Sequence, residues 1–275
     1  MTSITGLIGF PVSHSLSPRI HEYWITKHML SVTYKLFTTP PPRLRQTMLH
    51  MRKKNVAGVN ITIPHKQVVM EYLDNIDEVA TRVGAVNTVI NKNGSFIGSN
   101  TDVYGFITNL REAVGAIDSS KYLKNVVILG AGGATRAIIV ALKDAGAQAI
   151  TLTNRSADKA LALAEEFQIT HLPWEVRHEA LAEASLLVNS TSLGMQGHPG
   201  LDIDLSGLPK DALVHDIVYA PLETELLRAA KARGNVVVDG LGMLLYQAQK
   251  AFELWHGILP EVTPELRQLV LEPAL

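Results

Sequence analysis

The sequence has no cysteine, few aromatic residues and almost no net charge. Its 275 residues are 6% aromatic and carry a formal net charge of −1 at pH 7 with histidine neutral. Without cysteine there can be no disulfide, no thiol nucleophile and no cysteine-ligated metal site. A net charge near zero creates no long-range field to collect nucleic acid or an anionic membrane. We therefore expect neither partner, and any basic residue has to act locally.

Long apolar runs are also missing. No run approaches the roughly 20 residues that are needed to span a bilayer. The opening residues, MTSITGLIGF, lack the basic start and the uninterrupted apolar core of a signal peptide. We therefore expect a cytoplasmic protein. The hydrophobic fraction of 47% and the charged fraction of 19% are typical of a globular chain, long enough here for one large or two medium domains.

Short apolar segments alternate with helical patterns, which predicts an α/β architecture with mainly parallel sheets. In the first hundred residues, strands are predicted at 4–9, 32–37 and 56–63, and a helix at 44–54. A further helix is predicted from about Pro18, with Ser17 as its N-cap. Asn93-Gly94 predicts a β-hairpin between strands at 86–91 and 95–99.

After residue 103 the alternation becomes tighter. This part predicts strands at 126–130, 149–153, 186–189, 213–218 and 236–238, with helices at 134–145 and 158–167. Amphipathic helices at 241–255 and 264–270 end the chain. We predict two domains: an N-terminal α/β domain that ends near residue 103, and a Rossmann-like dinucleotide-binding domain over 104–239.

The segment VVILGAGGATRA joins an apolar strand to a helix through a glycine-rich turn. Glycines let the backbone approach a pyrophosphate, which binds the free amides at the helix N-terminus. The spacing departs from G-x-G-x-x-G, because Thr135 stands where the third glycine would be. A glycine turn without a ligand is the alternative, and the strand–turn–helix context favours the dinucleotide. The candidate ligands are Gly130, Ala131, Gly132, Gly133 and Ala134.

The end of the next predicted strand bears on the choice between NAD and NADP. NAD sites usually place Asp or Glu there, whereas here AITLT is followed by Asn154, Arg155 and Ser156. Lys159 lies four positions beyond Arg155, and two cations suit a 2′-phosphate. A solvated helix start would carry the same residues, and Asp158 could accept from a ribose hydroxyl and permit NAD. NADP is the preferred prediction.

Three segments before residue 103 are dense in polar residues beside glycine and proline. They are GFPVSHSLSP at 9–18, NITIPHK at 60–66, and GAVNT at 84–88 with GSNTD at 98–102. The first two follow predicted strands, and open α/β sheets hold ligands at the carboxyl ends of strands. Hydroxyls, an amide, an ammonium and a carboxylate suit a small, hydroxyl-rich anion. Taken singly, Lys66 or Asp102 would more often be an ordinary surface residue.

Together these segments resemble the shikimate dehydrogenase family over essentially the whole chain. The family's markers occur in order: the HS-S-P turn, NITIPHK, GAVNT, GSNTD, GAGGATRA, NRS, NSTSLGM at 189–195, DIVYAPLET at 216–224 and DGLGMLLYQA at 239–248. Two departures are small. Glu22 replaces a commoner asparagine, and Ser156 replaces a commoner threonine, which slightly weakens the argument for a phosphate clamp.

The resemblance implies an oxidoreductase that reversibly reduces 3-dehydroshikimate to shikimate with NADPH, a step toward chorismate and the aromatic amino acids. It implies that the last helices return to the N-terminal domain, so that 1–103 and 240–275 form the substrate domain. It also implies residue roles. The catalytic pair would be Lys66 and Asp102. The substrate would be held by Ser15, Ser17, Thr62, Asn87, Tyr219 and Gln247. The cofactor's 2′-phosphate would be held by Asn154, Arg155, Ser156 and Lys159, and its nicotinamide end would be lined by Ile217 and Gly240.

Reducing a ketone by hydride transfer requires a proton for the nascent alkoxide, which a nearby lysine can supply. To act as a base in the reverse direction, a lysine must lose its proton, and a neighbouring carboxylate opposes that loss. We therefore hypothesise that Lys66 acts mainly as proton donor and electrostatic anchor. Asp102 would orient both Lys66 and the substrate hydroxyl.

No metal is expected. His14, His21 and His65 lack a ligand-spaced carboxylate cluster, so we expect them in turns or helix caps.

Three alternatives stay open: a quinate/shikimate dehydrogenase with relaxed substrate and NAD/NADP use, another two-domain dehydrogenase such as one acting on folates, and a catalytically silent nucleotide-binding protein. The presence of Lys66 and Asp102 argues against the last of these. We expect a small-molecule substrate and a monomer or homodimer.

Overall fold

The computed structural model describes residues 3–52, 56–115 and 119–272 and divides the chain into two compact units. One unit combines Met1–Gly105 with Leu245–Leu275, and the other is Phe106–Leu244. The predicted boundaries, after 103 and after 239, lie slightly before these divisions. Within the described ranges, no helix combines the length and the apolar character that crossing a membrane requires.

The first unit is built on a six-stranded sheet in the order β2-β1-β3-β5-β6-β4. Its elements in chain order are β1 (Ser3–Gly9), α1 (Ser17–Lys27), β2 (Val32–Thr38), α2 (Leu44–Arg52), β3 (Val56–Ile61), β4 (Asn75–Ile76), α3 (Glu78–Val83), β5 (Thr88–Lys92), β6 (Ser95–Ser99), the start of α4 (Asp102–Val114), the later part of α8 (Leu241–His256), and α9 (Pro264–Leu271). The apolar side chains of β1, β3 and β5 pack against α2 in a buried core.

This sheet is mixed, because a hairpin reverses the chain direction inside it. β1 pairs parallel with β2 and β3, whereas β5 pairs antiparallel with both β3 and β6. The predicted hairpin is confirmed: Asn93 and Gly94 have φ of 55° and 91°, which the tight turn requires. β4 also pairs parallel with β6, so three of the five strand pairs among the described residues are parallel, and the hairpin makes the sheet mixed within a mainly parallel pattern.

Two predicted boundaries in the first unit are also wrong. The strand that was predicted over 56–63 ends at Ile61, because the backbone N–H of His65 donates to Thr62 O (2.9 Å) and closes a turn. Ser17 is the first residue of α1 rather than its N-cap, since its hydroxyl is engaged with Ser15 instead of the helix amides. The helix predicted over 44–54 is α2, and residues 53 and 54 lie outside the described residues.

The second unit is built on a six-stranded, all-parallel sheet in the order β12-β11-β10-β7-β8-β9. Its elements are β7 (Asn125–Leu129), α5 (Gly133–Asp144), β8 (Ala149–Thr153), α6 (Ala157–Phe167), β9 (Thr170–Leu172), β10 (Leu186–Asn189), β11 (Leu213–Asp216), α7 (Glu225–Ala232) and β12 (Val236–Val238). In this doubly wound sheet the chain adds β8 and β9 on one side of β7, and then β10, β11 and β12 on the other side. The order of the strands therefore reverses between β7 and β10, which is where such sheets bind ligands. The predicted α/β class with a Rossmann-like domain is confirmed.

Two histidines are buried in the apolar parts of the units. His21 lies in the middle of α1, stacked on Tyr34 at 4.3 Å between ring centroids, so the expectation of a turn or cap is wrong for it. In the second unit, His215 of β11 stacks on Phe106 at 4.8 Å. Burial lowers the pKa of each imidazole from 6.5 to about 3, with His256 adding to the effect at His21.

These pKa values predict acid-sensitive folding. Both imidazoles are neutral in the folded chain but take up a proton in the unfolded chain below pH 6.5, so the stability present above pH 6.5 is lost as the pH falls toward 3. In urea unfolding between pH 6 and 5, His21→Phe is expected to reduce the pH slope of the unfolding free energy by about 1.4 kcal/mol per pH unit. The control is His198→Gln at an exposed position. An unchanged slope in His21→Phe would mean that folded His21 is already protonated.

Candidate active site

Lys66 and Asp102 lie in contact in the first unit. Lys66 follows the turn after β3, and Asp102 is the first residue of α4. The distance between Lys66 Nζ and Asp102 Oδ2 is 2.5 Å, and the two side chains are 17% and 8% exposed. A carboxylate at this distance stabilises the ammonium, and the small exposure limits screening by solvent. The pair therefore presents a charged proton donor in a fixed position.

Asn87 holds Asp102 from the other side. Its Nδ2 donates to Asp102 Oδ1 at 2.8 Å, so each carboxylate oxygen has one side-chain partner. Asn87 Oδ1 accepts from the backbone N–H of Thr101 at 2.7 Å. The backbone N–H of Val86 donates to Lys66 O at 2.7 Å, which ties the lysine turn to the same segment. The three polar segments after β3, before β5 and after β6 are thus joined at one place.

Gln247 borders this network, whereas Thr62 follows β3 and lies beside the end of β1. Gln247 Oε1, on α8, lies 3.5 Å from Asn87 Nδ2. The backbone N–H of Thr62 donates to Ile8 O at 2.9 Å, and a side chain at Gly9 would come within 2.4 Å of Thr62 Cγ2. Gly9, the last residue of β1, therefore lets the ends of β1 and β3 approach each other.

Ser15 and Ser17 form a hydroxyl pair at the start of α1. Ser15 Oγ donates to Ser17 Oγ at 3.1 Å and accepts from the Ser17 backbone N–H at 3.2 Å. Ser17 lies beside the hydroxyl of Tyr34, which donates to Asn60 Oδ1 at 2.9 Å. Burial raises the pKa of Tyr34, so its hydroxyl keeps the proton that it donates. Asn60 Nδ2 in turn donates to Asn87 O at 3.3 Å, which connects the serines to the lysine–aspartate network.

Tyr34 and Asn60 are absent from the sequence-based set of site residues. Asn60 stands inside the quoted NITIPHK segment, but its amide is used within the protein. Tyr34 lies in the middle of β2, where an aromatic residue is ordinary strand composition. Only the strand register, which sets Thr5 beside Tyr34 and Leu7 beside Asn60, reveals the contact.

In the second unit, the glycine turn has the backbone that a phosphate-binding loop needs. Gly130 follows β7 with φ of 109°, and a Cβ there would lie 2.8 Å from Ser190 Oγ, so only glycine fits. Gly132 caps α5, and a Cβ there would meet nothing within 4 Å. The first amides of α5 have no intrahelical acceptor. Open space beside free amides suits a pyrophosphate.

Two exposed cations follow β8: Arg155 in the turn and Lys159 in the first turn of α6. Asn154 Nδ2 donates to Ser156 O at 3.0 Å, and Ser156 caps α6. In the part of the chain that the structure describes, neither Arg155 nor Lys159 forms a salt bridge, so both remain available to an anion. Asp158 is exposed in the first turn of α6.

A buried carboxylate shapes the end of β11. Asp216 Oδ1 accepts from Asn189 Nδ2 and from the Val218 backbone N–H, both at 3.0 Å, and Oδ2 accepts from Thr224 Oγ1 at 2.7 Å. Burial raises the pKa of Asp216, opposed by these three bonds. Both of its oxygens are therefore hydrogen-bonded inside the protein. Asp216 therefore fixes the backbone that follows it.

The segment after β11 contains Ile217 and Tyr219. A Cβ at Gly240 would come within 2.1 Å of Ile217 O, so this close approach requires glycine. Tyr219 is half-buried in the second unit, and burial raises its pKa. Over residues 3–272, apart from 53–55 and 116–118, no three His, Asp or Glu side chains group as metal ligands.

Three family models match the chain. They are the shikimate dehydrogenase substrate binding domain at residues 7–89, shikimate/quinate 5-dehydrogenase at 113–195, and the shikimate 5′-dehydrogenase C-terminal domain at 240–269. A protein of Paramagnetospirillum magneticum named shikimate dehydrogenase (NADP(+)) is 44% identical over 271 residues, which are 98% of each chain. The chain belongs to the shikimate dehydrogenase family. The resemblance found in the sequence is thereby confirmed.

Two similar solved structures differ in their ligands. Shikimate 5-dehydrogenase from Thermus thermophilus, in complex with NADP(H) and shikimate, has a TM-score of 0.86 and 38% identity, with 98% of both chains covered. Quinate dehydrogenase from Corynebacterium glutamicum, in complex with NAD, has a TM-score of 0.91 and 34% identity, with 98% of this chain and 99% of that chain covered. Similarity alone therefore does not decide between NADP and NAD, or between shikimate and quinate, for this member of the shikimate dehydrogenase family. That choice has to be argued from the residues of this chain.

The residues predicted from the sequence fall into two groups. Lys66, Asp102, Asn87 and Gln247 lie in one network of the first unit, and Ser15 and Ser17 connect to it. The cofactor candidates lie after β7, β8 and β11 in the second unit, together with Gly240 after β12. Their roles in binding and catalysis stay predictions.

Proposed function

We propose that the protein is an NADP-dependent shikimate dehydrogenase, which reversibly reduces 3-dehydroshikimate to shikimate. The observation that carries the proposal is the Lys66–Asp102 ion pair with Asn87 on its far side. Support also comes from the relative named for this activity and from the neighbour bound to NADP(H) and shikimate. The proposal assigns the substrate to the unit of 1–105 and 245–275 and the cofactor to the unit of 106–244, whose bounds the structure gives.

In this proposal, bound NADPH supplies a hydride to the carbonyl carbon of the substrate. The negative charge that then develops on the carbonyl oxygen is met by Lys66, whose Nζ donates a proton to it. Asp102 orients Lys66 through one carboxylate oxygen, and Asn87 fixes the other oxygen at 2.8 Å. In the reverse direction the same nitrogen takes the proton from the hydroxyl. Asp102 is then the group that stabilises the recharged ammonium.

The substrate's carboxylate and hydroxyls need separate partners. Ser15 and Ser17 offer two hydroxyl donors to the carboxylate, helped by Tyr219. The ring hydroxyls are assigned to Thr62, Asn87 and Gln247, whose side chains provide both donors and acceptors. No metal is required, because the ammonium supplies both the charge and the proton.

The chain's residues fit NADP on two observations: the open space beside Gly132, and the exposed Arg155 and Lys159, which form no salt bridge within the described ranges. The pyrophosphate is assigned to the backbone of residues 130–134. Arg155 and Lys159 neutralise the 2′-phosphate, with Asn154 and Ser156 completing the turn. Ile217 and Gly240 are assigned to the nicotinamide end.

A second candidate is a quinate/shikimate dehydrogenase that also uses NAD. Asp158 favours it, because an exposed carboxylate in the first turn of α6 can accept from a ribose hydroxyl. The similarity to the NAD-bound quinate dehydrogenase points the same way. The two candidates share their chemistry and differ in tolerance for a ring hydroxyl and for the 2′-phosphate.

Initial rates over shikimate and quinate, each with NADP⁺ and with NAD⁺, separate these candidates. The rates are measured from the absorbance of the reduced nicotinamide. We expect kcat/KM to be highest for shikimate with NADP⁺, by about tenfold or more, which corresponds to about 1.4 kcal/mol in transition-state binding. Comparable values for quinate and NAD⁺ would favour the second candidate. If no combination of substrate and cofactor is turned over, the result would instead favour a catalytically silent nucleotide-binding protein.

Two further expectations accompany the proposal. The protein is expected to act in the cytoplasm and to be a monomer or a homodimer. Cell fractionation tests the first, and light scattering over a range of concentrations tests the second.

A further inference from the structure

Thr135 occupies the place that glycine holds in G-x-G-x-x-G loops. A glycine there allows close packing of helix on strand. Thr135 is the third residue of α5 and is fully buried. Its hydroxyl oxygen accepts from the Gly132 backbone N–H at 3.0 Å, and the hydroxyl lies 3.0 Å from Gly130 O as a donor. One side chain therefore links both flanks of the turn to the helix.

Ser190 connects this hydroxyl to the neighbouring strand. It follows β10, which pairs with β7, and both its backbone N–H and its Oγ donate to Leu129 O, at 2.8 Å and 2.7 Å. The single proton of Ser190 is thus used, and its oxygen is free to accept from Thr135 Oγ1 at 2.8 Å. The proton of Thr135 is shared between Gly130 O and Ser190 Oγ. The end of β7, the turn and the end of β10 are held together through Thr135.

The same bonds decide which amides a phosphate can use. The Gly132 N–H is committed to Thr135 Oγ1, so it is not available to a ligand. The amides of Gly133 and Ala134, at the first two positions of α5, have no intrahelical acceptor. Their direction depends on how the turn from Gly130 to Gly132 is held.

We propose that Thr135 is a positioning residue for the cofactor's pyrophosphate, acting through its hydroxyl on the amides of Gly133 and Ala134. The inference rests on the proposed function, because it takes the dinucleotide as the ligand. Thr135 compensates by hydrogen bonding for the missing third glycine. Without the hydroxyl, the amide of Gly132 loses its acceptor within the protein, and the turn is no longer held against β7 and β10.

Thr135→Val removes the hydroxyl and keeps the shape, whereas Thr135→Ser keeps the hydroxyl. By calorimetry, the Kd for NADP⁺ is expected to rise about tenfold in Thr135→Val and to stay within about threefold of the wild type in Thr135→Ser. Adenosine 2′-phosphate, which has no pyrophosphate, is expected to bind wild type and Thr135→Val equally. The KM for shikimate at saturating NADP⁺ is expected to be unchanged.

Thr153→Val is the matched control. Thr153 ends β8 in the same unit, is fully buried, and its hydroxyl has no hydrogen-bond partner among the described residues. The same replacement there is expected to leave the Kd for NADP⁺ unchanged. If Thr135→Val folds poorly by circular dichroism, Ser190→Ala removes one partner of the same hydroxyl and is expected to raise the Kd about threefold.

Two outcomes would contradict the positioning role of Thr135, and a third would contradict the proposed function. An unchanged Kd in both Thr135→Val and Ser190→Ala overturns the positioning role. An equal loss of adenosine 2′-phosphate binding in Thr135→Val also overturns it, because the effect would then be general damage to the unit. A wild-type protein that binds neither NADP⁺ nor NAD⁺ overturns the proposed function instead.

Discussion

Lys66→Met is expected to lower kcat by about 10²–10⁴-fold while leaving the KM for shikimate within a few-fold of the wild type. Methionine fills a similar volume but has no proton to donate and no charge to offer the alkoxide. In the variant, Asp102 Oδ1 still accepts the hydrogen bond from Asn87 Nδ2 (2.8 Å), so we expect the remaining side chains of the network to keep their positions. Steady-state rates with NADP⁺ and shikimate, together with substrate affinity by calorimetry, measure the two quantities separately.

The variant also leaves a largely buried carboxylate without its cation, which alone lowers stability. The melting temperature must therefore be measured beside the rates. Lys92→Met, at an exposed position at the end of β5, is the control for the replacement itself, and its kcat is expected to be unchanged. Near-wild-type turnover by a folded Lys66→Met with unchanged substrate binding would remove Lys66 from the mechanism.

The sequence predicts the strands of the second unit best where every side chain is buried. LLVN of β10 is buried at all four positions, and a short, mainly apolar run between polar segments is typical of a strand that is covered on both faces. The strand β9 and the helix α7 were not predicted. β9 has only three residues, none fully buried, so its apolar signal is weak. For α7, Thr224 was available as an N-cap signal, and its hydroxyl accepts from Leu227 N in the structure.

The candidate site was predictable where motifs follow strands. Lys66 and Asp102 are 36 residues apart, but each ends a polar segment beside a strand of one sheet. The role of Tyr34 could not be predicted in this way, because a contact across β2, β1 and β3 depends on register rather than on local pattern. Thr135 illustrates the opposite case. In the sequence it weakens the glycine motif, whereas in the structure its hydroxyl is fully used within the loop.

The choice of cofactor gives the second large effect. Arg155→Ala is expected to lower kcat/KM for NADP⁺ about 10²-fold and to leave kcat/KM for NAD⁺ within about threefold. A hydrogen bond to a charged group contributes about 1.5–3 kcal/mol, and a guanidinium can make two such bonds to one phosphate. Because Arg155 has no carboxylate partner in the described part of the chain, its removal leaves no charge unpaired and the fold intact. Initial rates at subsaturating cofactor measure both ratios directly.

Arg228→Ala on α7 is the matched control, since Arg228 is an exposed arginine of the same unit with only a 3.8 Å contact to Glu223. Its cofactor preference is expected to match the wild type. Asp158→Asn completes the comparison: a lower rate with NAD⁺ but not with NADP⁺ would show that Asp158 accepts from the ribose. An equal loss with NAD⁺ and NADP⁺ in Arg155→Ala would mean that Arg155 does not read the 2′-phosphate, because only that group distinguishes the two cofactors.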